Sequence, residues 1–207
     1  MSAMPVGPVL TPQQQYILNE FNGQTYEPNK MDVQHTPIYD TVTILAGAAL
    51  TTSASQYFVV TATKSINQTN VQTSKKLDAP EAFTVKSFRW YYQGNILLAD
   101  LYAVLNGTVL EFVIGNKVYQ RGPLWLYNAG GGIFPFFTVT TQSILNNGMP
   151  GRSEMHVLAI NVVIDNQASF FAQLNTPTTI NMTAAVSGGT GILSQLVLDG
   201  LYARGVQ

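Results

Sequence analysis

Side chains able to carry acid–base or nucleophilic chemistry are few in this 207-residue chain. It has two histidines, His35 and His156, eleven carboxylates and no cysteine. Catalysis by a general acid and base needs at least two titratable groups held together. His35 lies in a proline-rich stretch, His156 begins a strand-like run (MHVLAINVVID), and no G-x-S-x-G motif is present. The sequence therefore predicts a protein that is not an enzyme.

Metal and cofactor sites are not predicted either. The absence of cysteine excludes thiolate zinc sites, and the sequence has no H-E-x-x-H motif and no calcium-binding loop of closely spaced aspartates. The carboxylates occur singly, and we expect each to be a turn cap or a solvent-facing strand residue. Those considered are Glu81, Asp100, Glu111, Glu154, Asp165 and Asp199.

Three consecutive glycines occur in the stretch LYNAGGGIFPFF, residues 126–137. A glycine-rich phosphate cradle leads into a helix and is followed by a lysine in the P-loop form. Here a strand-like aromatic run follows, without a lysine. We therefore expect a tight corner between strands or a crowded contact between subunits. The predicted contact residues are Gly130, Gly131, Gly132, Phe134 and Phe136.

The low charge of the chain indicates a surface that is covered in an assembly. Charged residues are 10% of the chain, against about 25% in an ordinary soluble domain. Amides and hydroxyls replace them, and these groups lose their water at a lower free-energy cost than ions. A monomer with a polar surface is the alternative. Lysines and arginines are scattered, so no nucleic-acid partner is predicted, and no apolar run is long enough to span a membrane.

The first forty residues are predicted to form an N-terminal arm carrying one short helix. They contain five of the ten prolines. Thr11 and Gln14 form a capping box with Pro12 at the first helical position, so a helix is expected from Pro12 to about Phe21. Its apolar face is too small to hold an isolated helix, so the arm is expected to order only in the assembly, as a subunit contact. That face is Tyr16, Ile17 and Phe21.

Residues 41–207 are predicted to form one β-sandwich domain. Short runs rich in β-branched and aromatic residues alternate with Gly, Asn and Pro. Gly115-Asn116 predicts a two-residue hairpin turn, residues 96–105 a short helix, and residues 67–76 an exposed loop. The predicted fold is all-β, an antiparallel two-sheet sandwich. Strands are expected at 38–46, 56–63, 82–92, 108–114, 117–121, 134–141, 155–164, 168–174, 178–186 and 192–204.

Several stretches resemble bacteriophage virion proteins with a jelly-roll fold. They are KLDAPEAFTVKSFRW, LNGTVLEFVIGNKVYQRGPLWLYNAGGGI, INVVIDNQASFFAQLN and LVLDGLYARGVQ. The resemblance covers roughly residues 76–207 and lies in layout and composition. It implies a non-enzymatic subunit that decorates or cements a capsid, or else a single jelly-roll major capsid subunit. The implied partners are other copies of the chain, as a trimer, and the major capsid protein or other shell proteins. The implied location is the virion, assembled in the host cytoplasm.

A carbohydrate- or receptor-binding β-sandwich is the alternative from another class. The aromatic run FRWYYQ, residues 88–93, and Trp125 would then form the sugar platform. Strand alternation places Phe88 and Trp90 on one face, so half of the run is expected in the core.

Overall fold

Antiparallel β-strands make up most of the fold. The structure, a computed structural model, describes residues 11–21, 30–51, 55–60, 63–93, 98–130, 155–183 and 191–206. Within these ranges two α-helices and a 3-10 helix accompany the strands. In chain order the elements are α1 (Pro12–Glu20), β1 (Met31–His35), β2 (Ile38–Leu45), β3 (Ala49–Leu50), β4 (Gln56–Tyr57), β5 (Ala82–Gln93), α2 (Leu98–Gly107), β6 (Val109–Ile114), β7 (Lys117–Pro123), the 3-10 helix (Leu124–Tyr127), β8 (His156–Ile164), β9 (Phe170–Asn175), β10 (Ile180–Asn181) and β11 (Gly191–Gly205).

The strands form two main sheets. In the larger sheet the order is β1-β11-β5-β8, and β2 also pairs with β11. The first half of the long strand β11 pairs with β2 and its last residues pair with β1. In the smaller sheet the order is β4-β9-β6-β7, and β3 pairs separately with β10. All these pairings are antiparallel, so the described residues have the all-β antiparallel architecture that the sequence predicted.

Alternating apolar residues from both sheets build one large core. Strand β9 buries Phe170, Ala172 and Leu174 and leaves the residues between them partly exposed. Because strand side chains alternate between faces, this pattern turns one face of the sheet inward. Phe88 of β5 contacts Phe112 of β6 edge to face, with ring centroids 5.3 Å apart. Since β5 and β6 belong to different sheets, this contact joins the two layers.

The predicted two-residue hairpin turn and the predicted short helix before it are both present. Ile114 pairs with Lys117 across a two-residue turn in which Gly115 has a φ of 58°. Helix α2 (Leu98–Gly107) buries Leu101, Val104 and Leu105, and residues 96 and 97 of the expected helix lie outside the described residues.

Most expected strand positions agree with the structure to within about two residues, and the exceptions have local causes. The strand expected at 56–63 ends at Tyr57, because Phe58 adopts a φ of 66° and its N–H donates to the Asp40 carboxylate at 2.5 Å. Of the strand expected at 178–186, the structure has Ile180–Asn181 as a strand, and residues 184–186 lie outside the described residues. The strand expected at 134–141 lies outside the described residues.

The N-terminal segment packs on the chain's own larger sheet. The predicted capping box is present at Thr11 and Gln14. Phe21 is fully buried in a small cluster with Met31, Ala82 and Ala203. The boundary proposed at residue 40 falls inside β2, and β1, which the sequence did not predict, pairs with β11. The described residues of this segment thus contact their own chain, and the expectation that the segment orders only in an assembly stays a prediction.

The loop expected to be exposed at 67–76 is partly packed. The Asn70 side chain accepts a hydrogen bond from the backbone N–H of Tyr39 and donates one to the carbonyl of Pro37, at 2.9 and 2.8 Å. Val71 is buried. These contacts hold the loop against the start of β2.

Candidate subunit-contact surface

The two histidines lie far apart in the larger sheet, each with its own partner. His35 is on β1 and His156 on β8, the strands at opposite ends of the order β1-β11-β5-β8. His35 Nε2 is 3.1 Å from a carboxylate oxygen of Asp199. His156 Nε2 is 2.9 Å from the side-chain nitrogen of Gln120, and burial lowers the pKa of His156. The structure therefore does not bring them together as an acid–base pair.

Two of the singly placed carboxylates are buried rather than solvent-facing. Asp100 accepts hydrogen bonds from both the backbone N–H and the hydroxyl of Thr183, at 3.1 and 2.8 Å. Glu111 accepts from Gln173 at 3.0 Å and Asn175 at 3.3 Å, and it pairs with Arg121 at 2.9 Å. The expectation of solvent-facing carboxylates is wrong at these positions: Glu111 is satisfied by residues of the neighbouring strands β9 and β7, and Asp100 of α2 by Thr183 after β10.

The pKa of Glu111 reflects this environment. Burial acts to raise the pKa, but hydrogen bonds from Gln173 and Asn175 and the charge of Arg121 outweigh it and lower the value below 4.5. The carboxylate is thus ionised and structural. Within the described residues no group of three or more histidine and acidic side chains is arranged to hold a metal ion.

Strand β7, the 3-10 helix and strand β8 meet on one side of the sandwich. The side-chain nitrogen of Gln120 on β7 donates to the Tyr127 hydroxyl at 3.1 Å and lies 2.9 Å from His156 Nε2 on β8. The rings of Tyr127 and His156 are in edge contact at 4.9 Å. Since β7 and β8 each end their sheet order, this bridge joins the two sheets at one side.

Exposed apolar side chains occur on all three elements, beside the exposed Lys117 and Arg121 of β7, and we call this side the β7–β8 surface. Ile160 is 82% exposed, Val157 59% and Trp125 53%. Of the twelve large apolar side chains that are exposed among the described residues, six lie on these three elements. Concentrations of this kind mark interaction sites more often than scattered apolar residues do. The six are Val118, Tyr119, Trp125, Leu126, Val157 and Ile160.

Backbone pairing is obstructed along both strands of this surface. Strand β7 carries Lys117, Arg121 and Pro123, and its register shifts opposite Phe112 and Val113. In β8, Val162 pairs with Val85 and Val157 with Ser87, so residues 158–161 lie opposite the single residue Lys86. Bulges, charges and proline are the features that keep sheet edges from joining other strands. A partner at this surface would therefore be held by side chains.

The residues predicted to form subunit contacts lie in different environments, and some lie outside the described residues. Gly130 is buried at the border of this surface, next to Ala129, whose N–H donates to the Trp90 carbonyl at 3.0 Å. Gly131, Gly132, Phe134 and Phe136 lie outside the described residues. On α1, Tyr16 is exposed and Ile17 is partly buried. Phe21 is enclosed by its own chain, so its side chain is not available to a neighbour in this conformation.

The aromatic run FRWYYQ does not form a surface platform. Phe88 and Trp90 are fully buried, and Trp90 Nε1 donates to Ser194 Oγ at 2.5 Å. This confirms that half of the run lies in the core. Tyr91 and Trp125 are exposed, on separate elements.

Comparisons add no family to this description. No protein-family model, curated protein or solved structure matches the chain. Among the described residues, neither helix has the length and apolarity needed to cross a membrane.

Proposed function

We propose that the chain is a non-enzymatic structural protein of a bacteriophage virion, with a jelly-roll fold, that decorates or cements the capsid through contacts between subunits. Its partners are then other copies of itself, as a trimer, and the major capsid protein or another shell protein. A role as the major capsid subunit is the second candidate.

The observation that carries the proposal is the nested order of strand pairing. Four strand pairs are nested along the chain. The innermost is the hairpin β6–β7, and the pairs that enclose it in turn are β5–β8, β4–β9 and β2–β11. Such nesting arises when one long antiparallel hairpin of eight strands is rolled into two sheets. Lateral pairing of β11 with β5 and of β9 with β6 completes the sheets. Eight strands in two antiparallel sheets are typical of jelly rolls, which occur in viral capsid proteins.

The β7–β8 surface supplies the means of assembly. Fold alone does not establish function, so the argument needs a site. Exposed Trp125, Val157 and Ile160 give an apolar contact area. The charged residues of β7 are Lys117 and Arg121, and Arg121 already pairs with Glu111, so covering this surface removes water from few charges.

Particles assembled without this protein test the role. Intact shells that break at lower temperature or osmotic stress would support a decorating or cementing subunit. Electron microscopy showing no shells would support the major capsid role instead. Shells of unchanged stability and composition would exclude both.

A pair of matched variants tests the surface. Ile160→Asp places a charge on the β7–β8 surface, and Ile66→Asp places one at a similarly exposed isoleucine, 77% exposed, in the loop after β4. We expect Ile160→Asp to abolish the trimer, or its binding to shells, while Ile66→Asp retains both. Light scattering after size exclusion and co-sedimentation with shells measure this. Equal behaviour of the two variants would refute the assignment of this surface.

A further inference from the structure

A cleft of about 160 Å³ opens between the start of β2, the loop before β5 and the end of β11. Buried apolar side chains of Ile38, Val71 and Leu77 contribute to its lining. The volume is below the roughly 300–1,000 Å³ of sites for drug-sized ligands. The cleft therefore suits a ligand about the size of one ring.

Hydrogen-bonding groups of both kinds line the same cleft. Asp78 and Glu81 provide carboxylate acceptors, while Gln72 and Lys76 provide donors. One oxygen of Asp78 accepts from the Thr73 hydroxyl at 2.9 Å, which orients this carboxylate.

Tyr202 places an aromatic ring in the lining, with its centroid 6.2 Å from that of Phe83 in the core. Burial raises the pKa of Tyr202, and hydrogen bonding to Glu81 and the charges of Glu81 and Asp78 raise it further. The phenol is therefore neutral and fixed beside the carboxylates.

We propose that this cleft binds one sugar unit of a glycan. A pyranose has C–H groups for the apolar lining and the Tyr202 ring, and hydroxyls that donate to Asp78 and Glu81 and accept from Gln72 and Lys76. An anion would face two carboxylates, and a cation would compete with Lys76. A neutral ligand with many hydroxyls satisfies both kinds of group.

The inference does not rest on the shell role, and its location differs from the aromatic platform that the sequence indicated. Glycan binding by a subunit that also assembles, or by one that does not, would be equally consistent with this cleft.

Saturation-transfer NMR on the full chain tests the proposal. The probes are methyl α-glucoside, methyl β-galactoside, N-acetylglucosamine and rhamnose, each at roughly 20 mM, above millimolar dissociation constants. The variants are Glu81→Gln, which removes a charge at constant shape, and Gln72→Ala. Gln13→Ala is the matched control for Gln72→Ala, because both glutamines are exposed and Gln13 lies on α1.

We expect saturation transfer to at least one probe. The dissociation constant should rise about tenfold or more in Glu81→Gln and Gln72→Ala and stay unchanged in Gln13→Ala, with all variants folded by circular dichroism. Three results would overturn the proposal: no transfer to any of the four probes, transfer that neither cleft variant weakens, or equal weakening by Gln13→Ala.

Discussion

Replacing Phe21 by alanine decides whether the N-terminal helix belongs to the isolated subunit. Phe21 follows α1, is fully buried, and packs with Met31, Ala82 and Ala203. Glu20, beside it, pairs with Lys86 at 3.0 Å. The ring is therefore the main apolar anchor of α1 on the larger sheet.

The expected loss of stability follows from the size of the ring and its position. Truncating a buried phenylalanine to alanine costs about 3–5 kcal/mol in a domain core. Phe21 lies in a small satellite cluster at the end of a short helix, and α1 can detach before the domain unfolds. The free energy needed to detach α1 limits the loss, so we expect about 2–4 kcal/mol.

Urea unfolding of the isolated subunit measures this value. Gln13→Ala on the same helix is exposed and should change the free energy of unfolding by less than about 0.5 kcal/mol. Limited proteolysis should cleave α1 faster in Phe21→Ala than in the parent. If Phe21→Ala leaves both unfolding and proteolysis unchanged, the helix is not docked in the isolated subunit, and its order depends on assembly as the sequence suggested.

Three further predictions concern the sheets. Gly200→Ala should destabilise the fold severely, because the new Cβ would lie 1.9 Å from the Thr84 carbonyl oxygen; circular dichroism and yield of soluble protein measure this. The pKa of Glu111 is lowered on folding, so its contribution to the free energy of unfolding is full above about pH 5 and is lost as the pH falls below 4.5 through the folded value. The urea midpoint of Glu111→Gln should therefore depend less on pH in this range than that of the parent. An equal pH dependence of the two midpoints would contradict this. Ser194→Ala removes the buried hydroxyl partner of Tyr57 and should cost about 1–3 kcal/mol in urea unfolding, whereas an unchanged midpoint would show that the contact does not contribute.

Local signals were sufficient for much of the strand layout. The capping box at Thr11 and the turn at Gly115 depend on neighbours within a few residues, and both appear as expected. Strand alternation likewise predicted that one face of the run 88–93 is buried, and the structure shows that it is the face of Phe88 and Trp90. These features are readable because their hydrogen bonds and periodicity are set within one segment.

The candidate surface was only partly predictable. Trp125 was singled out from the sequence, but for sugar binding, and Val157 and Ile160 were taken as ordinary strand residues. Ile160 lies in the four-residue bulge opposite Lys86, and Val157 pairs with Ser87 directly before that bulge. No local pattern specifies such a bulge, because its register depends on a strand about seventy residues earlier in the chain.

The sequence by itself determined that the chain is rich in strands, poor in charge and without cysteine chemistry, because composition and short-range periodicity carry that information. Tertiary structure alone decided where Phe21 is buried, which strand edges end the sheets and which polar groups share the cleft at Tyr202. Each of these depends on residues brought together from distant parts of the chain. Phe21 shows the difference most clearly. The helix before it is predicted from ten consecutive residues, whereas the residues that bury its ring come from β1, β5 and β11.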